Sequence, residues 1–194
     1  MPTEKPITLR INGHEEHATV PPHRTLLETL RELGHVEVKC GCEKGDCGAC
    51  AVLIDDMAVD VETGEVQVLK SVAAHDVGQC INPSAVEGQI HGGVSQGQGY
   101  ALSEAMEYDQ GRLITPSFSE YLIPTSMDLP NVQCILLESR SGLGPFGAKG
   151  IGEPCMTPVA PAIANAVADA IGTRIFELPI TPERIVNALG ELNS

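Results

Sequence analysis

The chain has no tryptophan and only three phenylalanines and three tyrosines among 194 residues. An interior organised around aromatic rings is therefore excluded, and Val, Ile, Leu and Ala must fill the core. Cations are also scarce: twelve Lys and Arg stand against 26 Asp and Glu, a formal charge of −14. Phosphate backbones are bound by clustered Lys and Arg, so a nucleic-acid partner is excluded. The excess is uneven, with six basic against ten acidic residues in 1–59 and six against sixteen in 60–194. An acidic surface of this kind bears on solubility rather than on fold. No run reaches the ~18 apolar residues of a membrane span, and the opening "MPTEKPITLRING" lacks the apolar stretch of a secretory leader. A cytoplasmic location without membrane partners is expected. The seven cysteines then read as metal ligands or reduced thiols, not disulfides.

What is present is an α+β pattern in two parts. "ITLRI" (Ile7–Ile11), the turn pair Asn12-Gly13 and "HEEHATV" (His14–Val20) predict a β-hairpin. "TLLETLREL" (Thr25–Leu33) sets Leu26, Leu27, Leu30 and Leu33 at helical spacing, with Gly34 as a stop. A cysteine-rich loop and the apolar strand "AVLI" (Ala51–Ile54) follow. That order is the order of a ferredoxin-like β-grasp module. After "DDMAV" the texture changes, and a domain boundary is expected near Val59–Asp60, dividing 1–59 from 60–194. The second part begins with a hairpin signal at Thr63-Gly64 and a Gly-rich helical stretch over Asn82–Tyr108. A strand at Val132–Ser139, an Ala-rich helix at Met156–Gly172 and a capped helix at Thr181–Leu192 complete it. Five glycines inside the first of these helices are costly unless another backbone or a bulky cofactor comes close.

In "KCGCEKGDCGAC" (Lys39–Cys50), Cys42, Cys47 and Cys50 are spaced C-x4-C-x2-C. Thiolates suit iron–sulfur clusters, and the intervening glycines let backbone N–H groups turn toward the sulfurs. A zinc site or free thiols would be the plainer readings. The run "KCGCEKGDCGACAVLIDD" resembles the N-terminal 2Fe–2S domain of the xanthine dehydrogenase (molybdenum hydroxylase) family's iron–sulfur subunit. The resemblance makes Cys42, Cys47 and Cys50 cluster ligands and leaves the fourth position, Glu62 here, without a thiol. A carboxylate (Asp60 or Glu62), a ligand from another subunit and an incomplete site all remain open. Cys40, Cys80, Cys134 and Cys155 have no place in that spacing. The family's second, helical cluster domain has no counterpart.

"GPFGAKGIGEPCMTPVAPAIANAV" (Gly144–Val167) carries one carboxylate, Glu153, between glycines and Pro154, ahead of the Ala-rich helix. A carboxylate so placed suits a general base, or simply complements the N-terminal end of the helix. "FGAKGIGEP" resembles the active-site motif of the same family's molybdenum-binding subunit. "AAHDVGQCINPSAVEGQIHGGVSQGQGYALSEAM" and "PSFSEYLIPTSMDLP" are similar to the segments that precede it, so the likeness covers residues 60–190. The resemblance implies that Glu153 is the base toward a molybdenum-bound hydroxyl. It implies that Gln89, Gln96 and Gln98 hydrogen-bond a pterin, with Gly92, Gly93, Gly150 and Gly152 leaving room for it. An exposed polar helix face is the alternative for the glutamines. His75 and His91 are expected in packing or surface hydrogen bonds; Cys155, next to the Glu-Pro pair, is a further candidate at the site, with a small buried apolar side chain as the plainer reading.

The expectation is thus an α+β chain joining a ferredoxin-like domain to the C-terminal part of a molybdopterin-binding subunit. It would complete, with Glu153, the active site of an oxidoreductase that hydroxylates an aldehyde or N-heterocycle. The molybdopterin would be shared with a larger molybdopterin-binding subunit, and a flavin subunit would complete the hetero-oligomer. A non-enzymatic 2Fe–2S electron-transfer or assembly subunit, or an inactive truncated fusion, are the alternatives.

Overall fold

The computed structural model describes residues 4–11, 14–21, 24, 26–35 and 53–192. Cys40, Cys42, Cys47 and Cys50 lie outside the described residues, and the cluster loop with them. Strands β1 (Lys5–Ile11) and β2 (His14–Val20) pair antiparallel in register from Lys5 with Val20 to Ile11 with His14, the hairpin expected there. Helix α1 (Leu26–Glu32) follows, with Thr29 and Leu30 buried.

Strand β3 (Leu53–Val59) does not pair with that hairpin among the described residues. It pairs antiparallel with β4 (Val66–Asp76), and β4 pairs in parallel with β7 (Asn131–Leu137), giving a sheet of order β3-β4-β7. Leu53 and Ile54 of the expected strand Ala51–Ile54 open β3, which runs on to Val59, while Ala51 and Val52 lie outside the described residues. The expected boundary at Val59–Asp60 falls on the turn joining β3 to β4. Asp60 shapes that turn: its carboxylate accepts the Glu62 N–H at 2.8 Å and the Thr63 N–H at 3.1 Å. Those bonds, first from Glu62 and then from Thr63, hold its pKa below the ordinary carboxylate range. Gly64, at φ +76°, presses on the Pro182 carbonyl, where any side chain would collide.

The register slips between Asp56 and Met57. Leu69 and Lys70 of β4 are both exposed as a result, while Val68 on one side and Ser71, Ala73 and His75 on the other face inward. A parallel β4–β7 pair needs a crossover. Helix α2 (Pro83–Leu102) supplies most of it, followed by the short hairpin of β5 (Tyr108–Asp109) and β6 (Arg112–Leu113). Asn82 caps α2 by accepting the Ala85 N–H at 3.1 Å. The helix ends at Leu102, short of the expected Tyr108, because Ser103 and Glu104 turn their N–H groups back to the Gly99 carbonyl. The Ala101 carbonyl is meanwhile taken by the Ile180 N–H at 2.6 Å.

Helix α3 (Val159–Ile171) buries Val159, Ile163, Val167 and Ile171, a stripe at i, i+4 spacing. Those side chains meet Ile90 and Val94 of α2, together with Ile180 and Ile185 at the start of α4 (Pro182–Leu192). Each fully buried isoleucine contributes roughly 1.5–3 kcal/mol. Gly97 of α2 lies so close to Val159 that a β-carbon would overlap it, the close approach the sequence requires of these glycines. No helix among the described residues is long and apolar enough to cross a membrane.

Candidate functional site

Beyond Asp76, the end of β4 is tied to the segment that precedes Glu153. Gly78, at φ +68°, packs against the Gly147 carbonyl. The Gln79 N–H donates to that same carbonyl at 3.2 Å, the Lys149 N–H to the Val77 carbonyl at 3.0 Å, and the Arg140 N–H to the Gly78 carbonyl at 3.1 Å. The side chains repeat the connection: Lys149 Nζ lies 3.0 Å from Asp76 Oδ2. Asp76 Oδ1 accepts the Gly78 N–H at 2.9 Å and the Ser139 hydroxyl at 2.9 Å. Burial pushes the Asp76 carboxyl upward, but the bonds from Gly78, Ser139 and Lys149 outweigh it and hold the pKa below the ordinary value. Neither Asp76 nor Lys149 is distinguished by sequence spacing. They stand 73 residues apart, and only the fold joins them.

Gly150 and Gly152 lead to Glu153, and all three are exposed. Pro154 is buried, and Cys155 is completely so, its Sγ donating to the Ile151 carbonyl at 2.8 Å. Burial pushes the Cys155 thiol up to about 11, in keeping with the small apolar role of the plainer reading. The Glu153 carbonyl accepts the Met156 N–H at 3.1 Å and the Thr157 hydroxyl at 3.3 Å. The Glu153 backbone is thus fixed as the chain turns toward α3, while its side chain faces outward.

The exposed face of α2 borders this loop. A β-carbon on Gly152 would stand 3.9 Å from Gln89 Oε1. At about 100° per residue, Gln96 shares the Gln89 face, seven positions on, and Gln98 falls on the opposite side. Gln89 and Gln96 are exposed accordingly. Gln98 is buried, its Nε2 donating to the Asp128 carbonyl at 2.7 Å, and its Oε1 has no hydrogen-bond partner among the described residues. The glycines divide in the same way. A β-carbon at Gly92 or Gly150 would meet nothing within 4 Å, whereas the space beside Gly93 is filled by Cys155. The room expected beside Gly93 is taken by the protein's own loop.

His75 is buried on the inner face of β4, and burial lowers its pKa; His91 is exposed. Both positions agree with packing and surface roles. Among the described residues no three His, Cys, Asp or Glu side chains gather as a metal-ligand set. What the site offers instead is an exposed carboxylate, two exposed amides on one helix face, and clear space at Gly92 and Gly150. Amides and open backbone suit a large heterocycle with hydrogen-bonding edges, and the donor set fits a pterin cofactor. Glu153 stands outside the apolar groove of about 430 Å³ that Tyr100, Met156, Thr157, Ala160, Phe176 and Leu178 help to line.

Comparison with known proteins agrees with this chemistry. Residues 35–130 match the molybdopterin cofactor-binding domain family. The chain is 39% identical over 132 residues to the xanthine dehydrogenase molybdenum-binding subunit of Escherichia coli, covering 67% of this chain and 18% of that protein. It is 41% identical over 188 residues to a nicotinate dehydrogenase subunit of Pseudomonas putida, covering 93% of this chain and 16% of that protein. Among solved structures, quinoline 2-oxidoreductase from Pseudomonas putida 86 superposes with a TM-score of 0.70 at 39% identity, over 73% of this chain and 18% of that chain. The chain therefore spans less than a fifth of the length of the relatives it matches. On these matches the chain belongs to the xanthine dehydrogenase-like molybdenum hydroxylase family.

Proposed function

We propose that this chain forms one wall of the active site of a molybdenum hydroxylase, with Glu153 as catalytic base and the rest of the site supplied by a larger molybdopterin-binding chain. One observation carries the reading: the Glu153 loop and the Gln89 face of α2 lie side by side, in contact at Gly152 and Gln89, with open space at Gly92 and Gly150. The exposure of Glu153 supports a shared site, because a carboxylate that is to act in a water-poor pocket needs a second wall to cover it.

Bound molybdopterin would supply the two-electron oxidation. Glu153 accepts the proton of the oxygen nucleophile at its carboxylate as the carbon–oxygen bond to substrate forms. Gln89 and Gln96 orient the cofactor's polar edges, and Gly150 and Gly152 let their backbone approach it. The substrate is an electron-poor N-heterocycle, in line with relatives named for xanthine, nicotinate and quinoline, or an aldehyde, in line with similar solved structures named aldehyde oxidoreductase. Cys42, Cys47 and Cys50, in a ferredoxin-like N-terminal domain, would hold a 2Fe–2S cluster that receives the electrons, and a flavin subunit is a further expected partner.

Tagged chain expressed in a molybdenum-replete host should co-purify with a larger chain. Molybdenum and pterin should appear in that complex, and hydroxylase activity in the complex alone. Full activity from the isolated chain, or a complex free of pterin, would overturn the proposal.

A further inference from the structure

We propose that Asp76 and Lys149 are positioning residues for Glu153: their ion pair fixes the near end of the short loop on which that carboxylate stands. The inference rests on the reading of Glu153 given above and adds what holds it in place.

The Lys149 side chain is 3% exposed and that of Asp76 is 32% exposed. An ammonium withdrawn this far from water requires a fixed anion, and Asp76 is that anion at 3.0 Å. The carboxylate is itself immobile, because its other oxygen takes the Gly78 N–H and the Ser139 hydroxyl, both at 2.9 Å, and the Ser139 N–H at 3.3 Å. Lys149 is held a second time through its backbone, the N–H donating to the Val77 carbonyl at 3.0 Å. Side chain and main chain thus dock one residue onto the end of β4 from two directions.

Only three residues, Gly150, Ile151 and Gly152, separate Lys149 from Glu153. Four peptide steps reach at most about 14 Å, so the position of Lys149 limits that of Glu153. The far end is held independently, by Cys155 Sγ on the Ile151 carbonyl and by the Met156 N–H on the Glu153 carbonyl. Gly150 lies between Lys149 and the held Ile151, and Gly152 between Ile151 and Glu153; both are exposed glycines, the residues with the greatest backbone freedom. Space for a ligand calls for glycine there, and glycine alone would leave the carboxylate wandering; the ion pair removes that freedom without filling the space. A misplacement of about 1 Å at a reacting group costs on the order of 10²-fold in rate.

Hydrogen exchange on the full chain, and kinetics on the co-purified complex, test the assignment with Lys149→Met, Lys149→Arg and Asp76→Asn. In Lys149→Met and Asp76→Asn, the hydrogen-bonded amides of Ala148 and Lys149 should exchange at least about tenfold faster, while those of α2 and α3 keep their wild-type rates. Lys149→Arg should restore most of the protection. In the complex, at equal molybdenum content, kcat should fall about 10²-fold with KM changed by less than about threefold. Unchanged exchange at Ala148 and Lys149, or exchange accelerated equally throughout the chain, would overturn the assignment, as would a wild-type kcat in variants that bind molybdenum. Should Lys149→Met not fold, Asp76→Asn, nearly isosteric, provides the same readings. Glu153→Gln separates this inference from its premise: wild-type turnover in that variant would remove the catalytic role, while the exchange pattern still decides whether the pair holds the loop.

Discussion

At the scale of single residues, two neighbouring glycines of α2 have opposite duties. Gly93 is buried where Cys155 fills the space beside it, and Gly92 faces open space. A methyl group at 93 has to displace the loop that follows Glu153, so Gly93→Ala should destabilise the chain by about 1–3 kcal/mol. Gly92→Ala should instead be neutral or stabilising by up to about 1 kcal/mol, through helix propensity alone. Urea unfolding of the isolated variants measures both, and equal effects would contradict the packing described. Cys155 allows a chemical test. With its thiol pushed up to about 11 by burial, it should be alkylated by iodoacetamide at pH 8 at least about 10²-fold more slowly in the native chain than in urea. Peptide mapping would show this, and equal rates would place the thiol at the surface. Asp76 makes a prediction against pH. Its folded-state pKa lies below the unfolded value of about 3.9. The stability it contributes is therefore present above that value and is lost as pH falls through the folded-state pKa. Asp76→Asn should flatten the fall in unfolding free energy over that acid range, and an unchanged pH slope would contradict it.

At the scale of elements, the helices were legible because their signals are local. Asn82 and Pro83 mark the start of α2, and the Asn82 side chain does accept the Ala85 N–H. Asn82→Ala should cost about 0.5–2 kcal/mol, read from a lower denaturation midpoint. The apolar stripe of α3 and the turn at Thr63-Gly64 could be read in the same local way. The sheet could not. Leu53 and Ile54 follow the cysteine loop directly and read as its continuation, yet their backbone pairs with Val72 and Ala73 of β4. The inward and outward alternation of β4 breaks at Leu69 and Lys70 because the register slip at Asp56/Met57 shifts the phase there. The parallel β4–β7 pair joins Lys70 to Asn131 and Asp76 to Leu137, partners that no local pattern connects. The candidate site divides likewise. Glu153, Gln89, Gln96, Asp76 and Lys149 all stand in the quoted motifs, but the pairing of Asp76 with Lys149 across 73 residues is made only by the fold.

At the scale of the whole molecule, the few aromatics are turned outward. Phe118, Phe146 and Phe176, all the phenylalanines in the chain, are 77%, 83% and 87% exposed. Phe146 also holds a φ of 58°, uncommon for a bulky residue. Phe176 and Tyr100 border the apolar groove beyond Met156 and Thr157, and Met106, Leu113, Phe118 and Tyr121 line a second one of about 290 Å³. Exposed aromatic and apolar side chains beside two grooves give small apolar ligands or a partner chain places to bind. The isolated chain should therefore bind a hydrophobic dye, and the signal should fall when the larger chain joins it; a signal unchanged in the complex would show that these faces are not covered.

The claim on which the functional account depends is that Glu153 works on substrate bound at a shared molybdopterin. It is tested most directly by turnover per molybdenum in the co-purified complex carrying Glu153→Gln, a change of one atom that removes the base and keeps the shape. The account predicts a fall of about 10²–10⁴-fold in kcat with molybdenum and pterin content unchanged. Turnover equal to that of the unaltered complex would contradict it.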